Sequence, residues 1–374
     1  MVQHQAKTPL TPAQAVVPIW SGVQQLAAVL PMDERWVLHA GPPFRSVQEL
    51  PQAVRNSVLI GILYEGWAAD KAAAEVLLDG GGVVLASAQD HDVVVPLAGV
   101  ATPSMYAIEV SDAKRPVNRK YSVLNEGMQW CTRLGIYAEE MLPHLRWLHQ
   151  DLGARLGAQF AGPVDLAPIL QAALLNGDDG HARTMHASRL LADTIVSWGI
   201  DDEASKRFLY GAMAWALNYW MAASALILAA QTDDHAIVKV GGNGLRFGLQ
   251  LAGQAGVWQV VAAPAIAGNK DAGNEAACAL GTIGDSAVVD FVGLGGQCLD
   301  LAGHSAKALQ AVLPADYLGR PGQFMTQKLP FLAERLGIAD YQAVLNHGAG
   351  PLVLLGMIDA AGERGRVGGG VATV

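Results

Sequence analysis

Charged residues are scarce in this sequence. Asp, Glu, Lys and Arg make up 16% of the 374 residues, whereas hydrophobic residues make up 51%. This composition excludes intrinsic disorder and allows a large buried core, and the length predicts two or three domains. Positive charge is scarcer than negative charge, with 25 Lys and Arg against 34 Asp and Glu and a net charge of −9. A surface for nucleic acid or for an anionic membrane is therefore disfavoured.

Cysteine is also rare. Cys131, Cys278 and Cys298 lie far apart and form no CxxC pair, which excludes a disulfide framework and a zinc knuckle. We expect three reduced thiols packed as small apolar residues. The first residues show no apolar run behind a basic segment, so we predict no secretory signal and a cytoplasmic location.

One uncharged run is long enough to resemble a membrane span. Residues 208–230 carry no charge, and 23 helical residues would cross a bilayer of about 30 Å. Asn218, two tyrosines and several alanines are spread around all faces of this run, which is typical of a helix wrapped by protein. We predict a buried core helix and no association with a membrane.

The periodicity of the apolar residues changes along the chain. Residues 12–30 have helical spacing, short strands and helices alternate over 31–120, and the pattern is almost wholly helical from 121 to 231. After Asp233 and Asp234, β-like runs separated by glycines return. We predict a multi-domain α+β (mixed α/β) fold with a helical middle domain. Its parts are an N-terminal helical extension (1–30), an α/β domain (31–120), a helical domain (121–235) and a C-terminal α/β domain (236–374).

Standard catalytic motifs are missing. The sequence contains no GxGxxG, GxxxxGK[ST], HExxH or GxSxG. The strongest remaining candidate is the segment 176–183, NGDDGHAR, between two predicted helices. Asp178 or Asp179 can cap the second helix while His181 and Arg183 project from its first turns. The alternative is a solvated, charged helix start. His181 and His186 are five residues apart, a poor spacing for two metal ligands on one helix face, so we expect no metal site.

Two glycine-rich segments are candidates for anion binding. In GGNGLRFG (241–248), backbone N–H groups and the Arg246 guanidinium can meet a carboxylate or phosphate beside Asn243. A plain hairpin turn explains this segment equally well. Asp285 and Ser286 precede a predicted helix N-terminus, where an anion can bind or where Asp285 can act as an N-cap.

Four further polar residues complete the set of candidates. Asn125 and Glu126 lie in the segment LNEG (124–127), and His39 ends a short predicted strand. His91 lies between Asp90 and Asp92, whose charges would raise its basicity for proton transfer, although most histidines in loops are only solvated.

A series of motifs gives the sequence a specific resemblance. In chain order these are LHAGPPF (38–44), PLAGVATPSM (96–105), YSVLNEG (121–127), LRWL (145–148), GDDGHAR (177–183), GGNGLRFGLQLAG (241–253), GDSAVVDFVGLGG (284–296) and IDAAGERGRVGGGVA (358–372). They resemble the YlbE-like family, to which the AllG subunit of the bacterial oxamate carbamoyltransferase complex belongs. The resemblance covers residues 35–374.

The resemblance implies a mixed α/β fold with a helical insertion and a role in carbamoyl transfer during ureide degradation. The reaction converts oxalurate and phosphate into oxamate and carbamoyl phosphate, without a cofactor. The implied partners are an FdrA-like subunit and a third, small subunit, and we also expect a homo-oligomer with an apolar association surface.

We assign roles within this chemistry as expectations. Arg183 and Arg246 bind the anionic groups, Asn243 and nearby glycine amides polarise the carbonyl, and His181 with Asp178 moves the proton. Asn125, Glu126, His91, Asp285, Ser286 and His39 are expected to bind substrate. Two alternatives stay open: a structural or regulatory partner of an FdrA-like subunit, and a relative acting on another ureide or small amide.

Overall fold

The fold is described from a computed structural model, which describes residues 10–32, 34–126 and 130–374. The strands are β1 (Pro18–Gln25), β2 (Trp36–His39), β3 (Val84–Ser87), β4 (Val93–Val94), β5 (Val100–Ala101), β6 (Tyr106–Asp112), β7 (Arg115–Val123), β8 (Val164–Asp165), β9 (Ile237–Asn243), β10 (Arg246–Leu251), β11 (Gln259–Ala262), β12 (Ala267–Lys270), β13 (Ile283–Gly284), β14 (Met325–Leu329), β15 (Arg335–Ala339), β16 (Leu352–Ile358) and β17 (Arg366–Thr373).

The α-helices lie between and around these strands. They are α1 (Pro12–Ala15), α2 (Leu26–Val29), α3 (Gln52–Tyr64), α4 (Lys71–Asp79), α5 (Met141–Arg146), α6 (Ala154–Ala158), α7 (Leu166–Leu175), α8 (Met185–Ser197), α9 (Glu203–Gly211), α10 (Trp215–Ala229), α11 (Ala287–Phe291), α12 (Gly303–Leu309), α13 (Pro321–Phe324) and α14 (Tyr341–His347). A π-helical segment, Trp147–Gly153, joins α5 to α6. Helices and several separate sheets confirm the predicted mixed α+β class.

Five sheets organise the described strands. The largest has the order β4-β7-β6-β1-β8, and the next has the antiparallel order β11-β10-β9-β13. Three smaller sheets have the orders β12-β17-β16, β3-β2-β5 and β14-β15. The apolar helix α10 packs on β6 and β7 of the largest sheet, and its other contacts reach α11 and β9. This helix therefore connects the first large sheet with the second.

The prediction of a helical N-terminal extension is wrong over most of its described length. Residues Pro18–Gln25 form β1, which pairs antiparallel with both β6 and β8. Its alternating burial places Trp20 against the rings of Phe160, Trp198 and Tyr219, at centroid distances of 5.3, 4.6 and 5.0 Å. Period-2 burial against a sheet, with Ile, Val and Trp on the strand, outweighs the local helical spacing.

The uncharged run 208–230 is not one helix, and it is buried mainly over 215–228, whereas Tyr210 and Met213 are exposed. The chain breaks between α9 and α10, whose axes differ by 64°. The hydroxyls of Thr184 and Ser188 donate to the carbonyl of Met213, and the Ser188 hydroxyl accepts from the amide of Ala216. These side chains replace helical backbone bonds and stabilise the break. Among the described residues no single helix is long and apolar enough to cross a membrane, although the bent pair passes by length and composition.

One core connects the predicted segments. The main cluster of buried apolar residues runs from Ala13 to Ile358 and includes members from all four predicted segments. The boundaries at 30, 120 and 235 remain predictions. The thiols of Cys131 and Cys298 are buried, as expected, but Cys278 is exposed, so it is not a core residue.

Candidate active site

A cavity of about 540 Å³ lies where the helical segment meets the C-terminal strands. Its polar and charged lining comes from seven regions of the chain: Asn125, Glu126, Arg133, His181, Arg183, Thr184, Asn218, Asn269, Asp271, Ser286, His304, Ser305 and Arg366. Apolar residues near the helix break, among them Met213 and Leu217, form another part of its wall. An apolar wall with a few convergent polar groups is typical of a small-molecule site.

The loop between α7 and α8 brings His181 and Arg183 to this cavity. Gly177 and Gly180 adopt positive φ angles, +83° and +81°, which glycine tolerates best. Asp179 is fully buried, and its Oδ1 accepts from the amides of His181 and Arg183 at 2.7 and 3.1 Å. Its Oδ2 accepts from the Ser305 hydroxyl at 2.6 Å. The loop geometry is therefore fixed by one carboxylate.

Asp178 accepts a hydrogen bond from an amide in the first turn of the following helix, but the N-cap residue of α8 is Thr184. His181 and Arg183 precede α8 instead of lying in its first turns. Asp178 Oδ2 accepts from the amide of Ala187 at 3.0 Å, and burial raises the pKa of this carboxyl. The Nε atom of Arg183 lies 3.9 Å from Asp178 Oδ1, and about a third of the Arg183 side chain is exposed. Arg183 is thus loosely held and can reach a ligand in the cavity.

The partner of His181 is Asp290, not Asp178. His181 Nδ1 lies 2.6 Å from Asp290 Oδ2, and both side chains are almost fully buried. Asp290 Oδ1 accepts from the amides of Gly296 and Leu354 at 3.0 and 3.3 Å. Burial raises the pKa of Asp290, while His181 and the two amides oppose the rise. With Nδ1 engaged, Nε2 is the His181 nitrogen left to meet a ligand.

A glycine lies directly against this histidine–aspartate pair. Gly295 has a φ of +56°, and a Cβ atom there would lie 2.1 Å from Asp290 Oδ1 and 3.1 Å from the Cβ of His181. The loop after α11 can therefore approach the pair only because residue 295 has no side chain.

A second wall carries a buried ion pair and an amide. Arg133 lies 3.0 Å from Glu126 Oε1, and the pKa of Arg133 is raised because Glu126 and Cys131 outweigh the effect of its burial. The Asn125 Nδ2 group donates to Thr132 Oγ1 at 3.1 Å. Asn125 Oδ1 is buried and has no hydrogen-bond partner in the described part of the chain. This wall offers an acceptor beside a cation.

Ser286 also reaches the cavity, at the start of α11, whereas Asp285 does not. Asp285 Oδ1 accepts from the Gly41 amide and from Gln89 Nε2, and Oδ2 accepts from the Val95 amide. Burial raises the pKa of Asp285 to about 7. Asp285 is therefore neither the N-cap of α11 nor part of the cavity wall, and it joins three segments in the interior.

The glycine-rich segment 241–248 forms the β9–β10 hairpin, which is the structure that the alternative interpretation describes. Asn243 Oδ1 accepts from the amides of Leu245 and Arg246, and its Nδ2 donates to the carbonyl of Pro42. Arg246 is paired with Glu49 at 2.8 Å. Both side chains lie outside the cavity lining, so the structure does not bring them together with His181.

The two remaining histidine candidates also lie outside the cavity lining. Burial lowers the pKa of His39 to about 4, and its Nδ1 lies 2.9 Å from the carbonyl oxygen of Ala40. The expected rise in the basicity of His91 is wrong, because burial lowers its pKa more than Asp90 raises it. The ring of His91 packs edge-on against Trp36 at 4.7 Å.

Of the candidates chosen from the sequence, the structure brings His181, Arg183, Asn125, Glu126 and Ser286 to one cavity. Nothing in the sequence indicated that they meet, and it did not indicate Asp290, Arg133 or Arg366. Asp290 lies within the motif 284–296, but its buried helical position gives no local sign of a pairing with residue 181. In the part of the chain that the structure describes, no group of three His, Cys, Asp or Glu side chains is arranged to hold a metal ion.

The sequence is similar to one family model and to two proteins of Escherichia coli. The family model described as "Oxamate carbamoyltransferase subunit AllG" matches residues 83–286. The Escherichia coli (strain K12) protein "Oxamate carbamoyltransferase subunit AllG" is 26% identical, and the match covers 94% of this chain and 90% of that protein. "Uncharacterized protein YahG" from the same strain is 29% identical over 75% of this chain and 61% of its own length.

A solved structure shares the fold. The crystal structure of a conserved protein of unknown function from Enterococcus faecalis V583 aligns with a TM-score of 0.88 and 24% identity. The alignment covers 97% of this chain and 92% of that chain. Because a fold does not determine a function, this likeness supports the architecture alone.

Proposed function

Because the chain belongs to the AllG family of oxamate carbamoyltransferase subunits, we propose that its cavity binds the substrates of a carbamoyl transfer and moves the proton of that reaction. Membership of the family confirms the resemblance seen in the sequence motifs. The observation that carries the proposal is the His181–Asp290 pair at a cavity that also contains Arg183.

The reaction that fits this site is the attack of phosphate on the ureido carbonyl carbon of oxalurate. A bond forms between a phosphate oxygen and that carbon, and the bond from the carbon to the oxamate nitrogen breaks. The products are carbamoyl phosphate and oxamate. The proton of hydrogen phosphate ends on the oxamate nitrogen, so one group that accepts and then returns a proton is sufficient.

His181 is suited to that proton transfer. Asp290 holds Nδ1 at 2.6 Å, which orients the ring and stabilises its positive charge after proton uptake. Nε2 then takes the proton from phosphate and gives it to the leaving nitrogen. Asp290 itself does not line the cavity and acts as a positioning residue.

Arg183 is suited to an anionic group of the substrate. Its guanidinium has five donors in a planar fork, and a carboxylate or phosphate can accept two of them in parallel. The substrates carry three negative charges in total at neutral pH. Arg133 and Arg366 also line the cavity, but each is paired with a carboxylate of the same lining, Glu126 and Asp271, so Arg183 is the most available of the three arginines.

The test is an assay of the assembled complex. The chain is purified with an FdrA-like subunit and the small third subunit, and carbamoyl phosphate formation from oxalurate and phosphate is measured. We expect His181→Gln to lower kcat about a hundredfold or more, the usual contribution of a positioned acid–base group. His186→Gln is the matched control, because His186 is five residues away and outside the cavity lining.

The alternative is a structural or regulatory role beside a catalytic FdrA-like subunit. The Escherichia coli relative is named as a subunit of a transferase, and that name is compatible with both roles. Full activity of an assembled complex that contains His181→Gln would favour the structural role and refute the proposed one.

A further inference from the structure

In the described part of the cavity wall, the side-chain oxygen of Asn125 lacks a hydrogen-bond donor. Asn125 is 5% exposed and lines the cavity. Its Oδ1 atom is buried and accepts no hydrogen bond from any described residue. A buried acceptor without a donor costs about 1–3 kcal/mol, so such an atom is expected to have a partner in the working state of the protein.

The orientation of this amide is fixed. Asn125 Nδ2 donates to Thr132 Oγ1 at 3.1 Å, and Thr132 is itself buried. Residue 99 beside it has room only for glycine, because a Cβ atom there would lie 2.9 Å from Asn125 Nδ2. With the N–H₂ group held by Thr132, the oxygen is the atom left to a ligand.

We infer that Asn125 is a specificity residue that accepts a hydrogen bond from the primary amide of the ligand. This inference rests on the proposed function. Oxalurate, oxamate and carbamoyl phosphate all carry an NH₂ group on a carbonyl carbon, and that group is a hydrogen-bond donor. A carboxylate in its place has only acceptors, and it would face the Asn125 oxygen with repulsion.

The charges around Asn125 make the amide contact necessary for selectivity. Arg183 lines the same cavity, and its positive charge attracts a small dicarboxylate more strongly than an amide acid that carries one negative charge. Cations alone would therefore favour oxalate, with two negative charges, over oxamate, with one. A site that hydrogen-bonds an N–H group rejects the analogue that lacks it, because the acceptor is then left unpaired.

The test compares two ligands of almost the same shape, oxamate and oxalate. Their dissociation constants are measured by calorimetry with the full chain, alone and in the assembled complex. We expect the unaltered chain to bind oxamate about tenfold more tightly than oxalate, the ratio that corresponds to one unsatisfied acceptor. In Asn125→Leu the preference should disappear or reverse, since the cations remain.

Asn125→Asp is the conservative variant, because it keeps an oxygen acceptor and can accept from the Thr132 hydroxyl. It should keep the preference for oxamate, and it remains informative if Asn125→Leu does not fold, as judged by thermal melting. An unchanged ratio in Asn125→Leu, or a preference of the unaltered chain for oxalate, would overturn the inference while leaving the proposed function intact. If neither ligand binds in either setting, the proposed function fails, and this inference fails with it.

Discussion

At the scale of the residue, two arginines that look alike in the sequence have different surroundings. Arg183 lines the cavity and is loosely paired with Asp178, whereas Arg246 is held by Glu49 at 2.8 Å in a hairpin outside it. Both follow a glycine-rich stretch, so local sequence does not separate them. The two arginines are distinguished by the carboxylate with which each guanidinium pairs in the folded chain.

The first prediction compares these two arginines. Arg183→Lys should weaken the binding of oxamate by about 1.5–3 kcal/mol, or roughly tenfold or more, because a lysine ammonium cannot form the two parallel bonds of a guanidinium. Arg246→Lys serves as the matched control and should change the affinity by no more than about 0.5 kcal/mol. Calorimetry gives the affinities, and thermal melting reports whether each variant is folded. Equal affinities of the two variants would show that Arg183 does not contact the ligand.

The residues of the site can be predicted from the sequence more easily than the contacts between them. The motif 177–183 was sufficient to select His181 and Arg183, because a short polar segment between two apolar helices is a visible anomaly. The partner of His181 was assigned to Asp178, a local neighbour, and the actual partner is Asp290, 109 residues further along the chain. A contact between distant segments depends on how the helices and sheets pack, and no spacing within one motif reports it.

At the scale of the element, side chains from one element often complete the backbone bonds of another. The Ser188 hydroxyl of α8 binds the ends of α9 and α10 at the break near Met213. His149 in the π-helical segment accepts the amide of Tyr106, the first residue of β6, at 3.0 Å. Such bonds depend on the protonation or rotamer of a single side chain, so they make an element sensitive to solution conditions.

The second prediction concerns His149 and pH. Burial lowers the pKa of His149 to about 3, and its Nδ1 can accept the Tyr106 amide only while the ring is neutral. The unfolded chain binds a proton near pH 6.5, so the free energy of unfolding should fall by about 1.4 kcal/mol per pH unit as the pH drops from 6.5 towards 3. His149→Gln keeps an acceptor but removes this titration.

Urea unfolding at pH 7 and pH 5 measures the effect. The loss of stability between these values should be about 2 kcal/mol smaller in His149→Gln than in the unaltered chain. His39, whose pKa burial lowers to about 4, contributes a similar loss in both proteins and cancels in the difference. The same pH dependence in both proteins would mean that His149 is protonated in the fold as readily as in the unfolded chain.

The elements also differ in how well they can be predicted from the sequence. The helix Lys71–Asp79 has a local signal at its start, because Asp70 is a good N-cap residue and accepts from the Ala73 amide. The strand Pro18–Gln25 was missed, since its apolar residues fit a helical spacing and its sheet partners come from residues 106–112 and 164–165. Local signals fix a helix end, whereas a strand depends on partners that the sequence does not indicate.

At the scale of the whole molecule, one sheet edge is unusually apolar. The strand β11 forms the end of its sheet, and Val257, Val260 and Val261 beside and within it are exposed. Residues 247–269 contain no charged side chain. Monomeric proteins commonly protect such an edge with lysine or proline, and in a chain of net charge −9 an uncharged stretch is where a second copy can approach with least repulsion.

The third prediction is that two copies of the chain associate along β11. Light scattering at micromolar concentration should show a dimer or a larger assembly, in agreement with the homo-oligomer expected from the sequence. Val261→Lys should shift the equilibrium towards the monomer, because each copy then brings an ammonium group to the shared edge. Val76→Lys, an exposed valine on α4, is the control. A monomer for the unaltered chain, or no effect of Val261→Lys, would contradict the prediction.

The cavity has a consequence for the chain as a whole. Its lining begins at Pro96 and extends to Gly370, so no fragment of the chain contains a complete binding site. A molecule that occupies it ties together segments that are distant in sequence, and occupancy and folding become one linked equilibrium. A ligand of the cavity would then stabilise the chain against unfolding. The lifetime of the folded chain in the cell would rise and fall with the concentration of that ligand.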